Sequence, residues 1–221
     1  MDFTLARRMM VDGQVRTRDV FDTNLLAAMG EVPRERFVPP EQAGLAYLDR
    51  NVPLMAQGSP QASRCLLQPM VLAHLLQAAD IAQDERVLDV GCATGYTAAV
   101  VARLGATVVA LEEDRTLAAT ARRVLGELAP AVKVVEGPLQ GGWPELGPYD
   151  VIVIEGAVEV IPPALFGQLK DGGRLVTIDG VRPGAKAAVY CSVKGDASCR
   201  LLIEAAAPLL PGFAKPPAFV F

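Results

Sequence analysis

Arg86-Val-Leu-Asp-Val-Gly-Cys-Ala-Thr-Gly95 is the stretch that decides the fold. An apolar run of strand character ends in a glycine turn, and Tyr96-Thr-Ala-Ala-Val-Val-Ala-Arg103 continues as an apolar helix. Val108-Val-Ala-Leu-Glu112 then reads as a second buried strand with an acid at its carboxyl end. Strand, Gly-x-x-x-Gly turn, helix and a strand closing on a carboxylate make half of a nucleotide-binding α/β unit. Gly91 and Gly95 let backbone approach a ligand closely, and Glu112 can take both hydroxyls of a ribose. The turn is not the Gly-x-Gly-x-x-Gly of dinucleotide enzymes, and no Gly-Lys-Ser/Thr follows for a triphosphate. Asp89-Val-Gly-x-x-x-Gly95 is the form expected for S-adenosylmethionine, which has no phosphate and needs no anion cradle.

Working outward, the βα alternation predicts strands at 86–90, 107–111, 132–136, 150–154 and 174–178, and helices at 96–104, 115–129 and 162–169. Tyr149-Asp-Val-Ile-Val-Ile154 is a continuous apolar run after a polar start, as in a parallel strand buried on both faces. Residues 187–193 and 199–206 read as an antiparallel hairpin around Lys194-Gly-Asp196, which would set Cys191 and Cys199 opposite each other. Upstream, residues 2–30 read as helical, with Asp22 or Thr23 as N-cap of the segment that ends at Gly30. Residues 51–68 are loop-like, and a helix starts at Gln68-Pro69 with proline in its first turn. The tail from Pro208 is proline-rich and irregular, its aromatics predicted to pack on the body. The fold class is therefore α/β: a doubly wound, mostly parallel, Rossmann-like sheet with N-terminal helices and a C-terminal antiparallel hairpin.

The chain has 221 residues, 51% of them hydrophobic, which suits one domain with a sizeable core. Charged residues interrupt every long apolar run, so no membrane span is expected, and the N-terminus lacks a signal-peptide core. A cytoplasmic location follows as an expectation. A net charge of −4 with scattered basic residues disfavours a nucleic-acid partner. The four cysteines show no Cys-x-x-Cys spacing, and His74 is the single histidine, so neither a zinc site nor histidine-based nucleophilic catalysis is expected. Free thiols are expected throughout.

Several blocks together resemble the protein-L-isoaspartate O-methyltransferase family. Val11-Asp-Gly-Gln14, Leu26-Ala-Ala-Met29 and Val32-Pro-Arg-Glu-Arg-Phe-Val-Pro39 come first, and Ala46-Tyr47, Val52-Pro-Leu54 and Gln68-Pro69 continue in order. The glycine turn, Gly141-Gly-Trp-Pro144, Tyr149-Asp150 and Gly172-Gly-Arg-Leu-Val176 complete a match over roughly residues 7–178. The glycine turn alone fits any class I methyltransferase, whereas the N-terminal blocks are far more specific. The resemblance implies a single methyltransferase domain over 1–221, with 1–80 as helical and substrate-side region, 81–180 as cofactor core and 181–221 as hairpin and tail. It implies methyl transfer from S-adenosylmethionine to an isoaspartyl carboxylate of a protein or peptide. That group is already ionised at neutral pH, so no strong base is needed. The implied cofactor residues are Gln68, Asp89, Gly91, Cys92, Gly95, Glu112, Pro138 and Leu139, with no metal.

The chain departs from the family pattern at the chemical centre. Where the family carries Thr-Ile-Ser-Gln-Pro, this chain reads Cys65-Leu-Leu-Gln-Pro69, so the serine that helps hold the substrate carboxylate falls on Leu67. Ser59, Ser63 or Arg64, from the longer preceding loop, are candidates to replace it. Glu155 stands where the family has Thr or Gly, just past strand 150–154. It is readable as a base for a hydroxyl acceptor, a guide for an amine, or a solvated loop glutamate. Leu67 and Glu155 together predict slow turnover of an anionic acceptor. Pro138 replaces an aspartate that meets the adenine amino group, and the family's arginine near the C-terminus is absent from Ala206-Ala-Pro-Leu-Leu210. Two alternatives follow: a divergent methyltransferase with a hydroxyl or amine acceptor, and a catalytically silent member that binds cofactor or a protein.

Overall fold

The alternation of residues 86–179 builds a parallel sheet in the computed structural model, which describes residues 1–55, 64–181, 183–193 and 196–216. In chain order come α1 (Phe3–Met10), α2 (Thr23–Glu31), a short antiparallel pair β1 (Val52–Pro53) and β2 (Cys65–Leu66), and α3 (Pro69–Ala79). The units β3 (Arg86–Val90), α4 (Tyr96–Arg103), β4 (Thr107–Glu112), α5 (Arg115–Leu128) and β5 (Lys133–Glu136) follow. The chain then runs through β6 (Tyr149–Val158), α6 (Pro163–Phe166), β7 (Leu169–Asp179), β8 (Lys186–Val193) and β9 (Asp196–Glu204).

The sheet order is β5-β4-β3-β6-β7-β8-β9, parallel through β7 and antiparallel for β8 and β9. Because side chains alternate along a strand, the sheet feeds two cores. Val87, Val151 and Val153 pack with α2, α3, α4 and α5, and Leu88, Val90, Ile152 and Ile154 pack with Leu165 and the tail residues Leu210 and Phe213. The connection direction reverses between β3, paired to β4, and its other neighbour β6. In open α/β sheets the carboxyl ends of strands at such a reversal form the ligand crevice.

Several elements differ from the sequence reading. Residues 2–30 are helical in two segments, as read, but the first is irregular at its end. α1 passes into a π-helical turn at Val11–Val15 and a 3-10 turn at Arg16–Arg18, and Asp19 reverses the chain at φ 60°. Asp22 then caps α2, its carboxylate accepting from the Asn24 and Leu25 amides. Strand β6 runs four residues beyond 154, because the tail docks on its extension: Ala157 donates to the Pro208 carbonyl and Leu210 donates back to Ala157. The helix expected at 162–169 is only Pro163–Phe166, since Leu169 already pairs with Tyr149 as the start of β7. The hairpin register places Cys199 opposite Tyr190 and Ser198 opposite Cys191, so the two cysteines are not cross-strand partners. All four cysteines are free. As read from sequence, the tail packs on the body: Leu210 and Phe213 are buried, each such side chain contributing roughly 1.5–3 kcal/mol. No helix among the described residues is long and apolar enough to cross a membrane.

Candidate active site

The Gly91–Gly95 turn is held from two sides. The Gly91 and Cys92 amides donate to the Leu111 carbonyl at the end of β4, and the Thr94 hydroxyl donates to Phe37 O of the Val32–Pro39 block at 2.6 Å. Gly91 sits at φ +75°, in the left-handed region that favours glycine. A Cβ there would lie 3.3 Å from Arg64 Nη2 and 3.5 Å from both Leu139 Cδ1 and Leu210 Cδ1. Gly91 therefore opens its backbone onto the space above the strand ends. Gly95 (φ +94°) has a different role, because its Cβ would meet Leu125 Cδ1 of α5 at 2.6 Å. What this glycine makes room for is helix packing.

Ala93 also takes a left-handed conformation, at φ 52°, which turns its amide onto Glu112 Oε2 at 2.7 Å. An alanine held there costs about 1–2 kcal/mol. Ala93→Gly relieves that cost but adds about 0.5–1 kcal/mol of unfolded-chain entropy. The expected net result is a gain of about 0.5–1 kcal/mol, seen as a melting-temperature rise of about 2 °C.

Glu112 ends β4 with no exposed surface, pointing at this turn. Its Oε1 accepts from the Glu113 and Asp114 amides, each at 3.0 Å, and Oε2 from Ala93 N. Arg64 completes the set, Nη1 donating to Oε1 at 2.8 Å and Nη2 to Oε2 at 2.7 Å, with Nη2 also donating to Gly91 O at 2.9 Å. This two-pronged contact occupies the two oxygens that the sequence reading assigns to ribose. A planar fork of two N–H donors and a pair of neighbouring hydroxyls make the same demand on a carboxylate. The donor set fits the cofactor half of the site.

Asp89 lies two residues before Gly91 on β3, on the face it shares with Val87, and is fully buried. The Ala98 N–H lies near enough to favour its charged form, yet neither carboxylate oxygen closes a hydrogen bond among the described residues. Glu155 lies on β6 two residues beyond Val153, the register partner of Asp89, at 8% exposure and with Oε1 likewise unpartnered. Burial pushes Glu155 up to about 7, opposed by the Thr97 hydroxyl and the positive charges of Arg34 and Arg64. Burial and the neighbouring Glu155 and Glu112 carboxylates raise Asp89 well above the usual range. Both oxygens of Asp89 and Oε1 of Glu155, buried without a partner, are an unsatisfied demand for a cationic or donor group. The ammonium end of a methionine meets that demand. Glu155 is therefore not a solvated loop residue.

The remaining sequence candidates divide. Cys92 is buried beside Gly91, and burial pushes its thiol well up, so it is a packed thiol rather than a nucleophile. Leu139 is fully buried against the Gly91 space, while Pro138 caps its short 3-10 turn from an exposed position. Gln68 lies elsewhere: it lines a cleft of about 590 Å³ with Met70, Gly184 and Glu204–Ala206, and its amide donates to Asn51 Oδ1. Leu67 is 1% exposed and packs in the helical-side core. Ser59 and Ser63 lie outside the described residues. His74 is half-buried on α3, away from the turn.

Two functional positions escaped the sequence reading. Arg34, with no exposed surface, donates from Nε to Ala46 O at 2.7 Å and from Nη2 to Leu67 O at 2.6 Å, and stacks 4.6 Å over the Tyr96 ring. It ties the Val32–Pro39 block to the 65–68 segment and the first turn of α4. The Val-Pro-Arg-Glu-Arg-Phe block was legible as a signature, but nothing in it says which arginine is buried. Leu210 is the other: its Cγ would lie 2.5 Å from a Cβ at Gly156, so that glycine is what lets the tail close over the strand ends.

This arrangement has close relatives. The family described as Protein-L-isoaspartate(D-aspartate) O-methyltransferase (PCMT) matches residues 6–196. The chain belongs to this family. A protein-L-isoaspartate O-methyltransferase of Methylorubrum populi is 40% identical over 86% of each chain, and one of Gloeobacter violaceus is 42% identical over 78% of this chain and 82% of that one. A solved protein-L-isoaspartate O-methyltransferase superposes with TM-score 0.81 at 26% identity, over 95% of this chain and 66% of that one. The fold is shared with a Plasmodium falciparum member solved in complex with S-adenosyl-L-homocysteine (TM-score 0.76, 17% identity, 92% of this chain and 97% of that one). Family membership extends past the cofactor core to the N-terminal blocks that Arg34 ties over the site.

Proposed function

We propose that this chain transfers a methyl group from S-adenosylmethionine to the isoaspartyl carboxylate of damaged proteins, as a cytoplasmic repair enzyme. The observation that carries the reading is the family match over residues 6–196, which takes in the substrate-side N-terminal region as well as the cofactor turn. Bound S-adenosylmethionine supplies a methyl group activated on a sulfonium. Glu112 would hold its ribose, Leu139 would border its adenine, and Asp89 with Glu155 would face its methionine ammonium.

The rest of the work is positional. Leu139 and Leu210 cover the Gly91 backbone and exclude water, while Arg34 fixes the 65–68 segment beneath which the acceptor would enter. A carboxylate acceptor needs no base, which agrees with a chain holding one half-buried histidine. Leu67 and Glu155 predicted slow turnover of an anion, but their surroundings weaken that expectation. Leu67 presents no surface, and Glu155 at about 7 carries only part of a charge at neutral pH. The relatives do not favour a hydroxyl or amine acceptor, nor a silent binder.

The test is transfer of tritiated methyl to an isoaspartyl peptide beside its normal aspartyl twin. Incorporation into the first and not the second is expected. Equal labelling of both, or of neither, refutes the isoaspartyl assignment.

A further inference from the structure

Glu112 receives five N–H donors in this structure: three backbone amides and both prongs of Arg64. A carboxylate has about four lone-pair sites, so it has no capacity left for ribose hydroxyls. The three amides belong to the turn and to the strand end and stay with the fold. Arg64 is the one side chain among the five, and it alone can leave. Cofactor ribose and the Arg64 guanidinium thus compete for the same two oxygens.

A guanidinium at 3% exposure, stripped of its carboxylate, needs another anion, because an unpaired buried charge is strongly unfavourable. Arg64 directly precedes Cys65-Leu66-Leu67, the segment where the residues that would hold an acceptor carboxylate are apolar. It already lies within the field of Glu155 on β6. We propose that Arg64 is the acceptor-binding residue of this chain: cofactor binding at Glu112 releases its guanidinium, which then clamps the acceptor's carboxylate by a two-pronged contact. The inference rests on the isoaspartyl reading above. Its consequence is ordered binding, cofactor before acceptor. By linkage, the acceptor then tightens the cofactor by the same factor that the cofactor tightens the acceptor. The rival destination is the half-buried Glu113, which shares a cleft of about 490 Å³ with Arg64, Asp114 and Pro211.

The experiment measures binding without turnover. S-adenosylhomocysteine affinity is read by calorimetry, and affinity for a labelled isoaspartyl peptide by anisotropy, with and without S-adenosylhomocysteine, for the unmodified protein and Arg64→Gln. In the unmodified protein, S-adenosylhomocysteine should tighten the peptide at least tenfold. In Arg64→Gln, where Glu112 keeps its three amide donors, S-adenosylhomocysteine should bind as tightly or more tightly. The peptide should bind at least tenfold more weakly, with the cooperativity gone. Unchanged peptide affinity in the variant, or no cooperativity in the unmodified protein, overturns the role; the second readout does not depend on the variant folding. A rise in cofactor affinity alone would mean that the guanidinium moves to Glu113, and also overturns it. If the unmodified protein binds S-adenosylhomocysteine yet neither binds nor methylates the isoaspartyl peptide, the functional reading fails first and this one with it.

Discussion

Glu112→Ala abolishes measurable S-adenosylhomocysteine binding and destabilises the fold by about 3–5 kcal/mol, because it removes the ribose acceptor and strands Arg64 as a buried unpaired cation. The three amides of Ala93, Glu113 and Asp114 lose their acceptor in the same step, each orphaned buried donor adding to the cost. The double variant Glu112→Ala with Arg64→Ala separates the two effects. It should recover the part of the stability lost to the stranded charge, while the cost of the three orphaned amides remains and cofactor binding is not recovered. Urea unfolding and calorimetry on the same preparations read both. A single variant as stable as the parent would mean that the Arg64–Glu112 pair only breaks even with solvent, and retained binding would move the ribose to another acceptor.

Glu155→Gln is the second large effect, and it is pH-dependent. In the folded protein Glu155 is held at about 7 against an ordinary 4.5, chiefly by burial. The folded state thus binds a proton that the unfolded state has lost across the interval between those values. Stability falls as pH rises from about 4.5 to 7, and the full penalty, about 3 kcal/mol, persists above 7. Arg34, Arg64 and Thr97 limit the penalty and Asp89 adds its own in the same direction. Glutamine keeps the shape without the charge. The variant should be about 3 kcal/mol more stable at pH 8 and equal to the parent near pH 4, measured as urea midpoints across that range. A parallel offset at every pH would show that Glu155 is not neutralised by folding. The same substitution should weaken S-adenosylhomocysteine, because Asp89 is then the one buried carboxyl left to meet the ammonium.

The central strands and the cofactor turn were legible because their signals are local. An apolar run, a glycine needing a left-handed φ and an acid at a strand end are each set by a few neighbouring residues, and β3 fell where it was expected. Asp22 as a helix cap was legible for the same reason: a short side chain reaching two amides just ahead of it. The family blocks were legible as linear patterns. The ends of β6 and α6 were not, because they depend on β6 pairing with the tail and on Leu169 pairing with Tyr149, partners that lie far apart in the chain. The hairpin cysteines failed on register, a one-residue quantity that periodicity does not carry.

By itself, then, the sequence determined the α/β class, the strand-turn-helix that receives the cofactor, and the presence of Glu112 at its edge. Only the tertiary structure decided what surrounds that carboxylate. Arg64 and Glu112 stand 48 positions apart, and an ion pair of that span exists only once β2 is laid across the strand ends. In sequence Arg34 reads as an ordinary cation, Asp89 as an implied cofactor residue and Glu155 as a base, an amine guide or a solvated loop acid, with nothing to say how deeply any of them is buried. Burial turns the first into a tie between segments and leaves both oxygens of Asp89 and one of Glu155 without a partner, and burial is a property of the packed chain that no local pattern encodes.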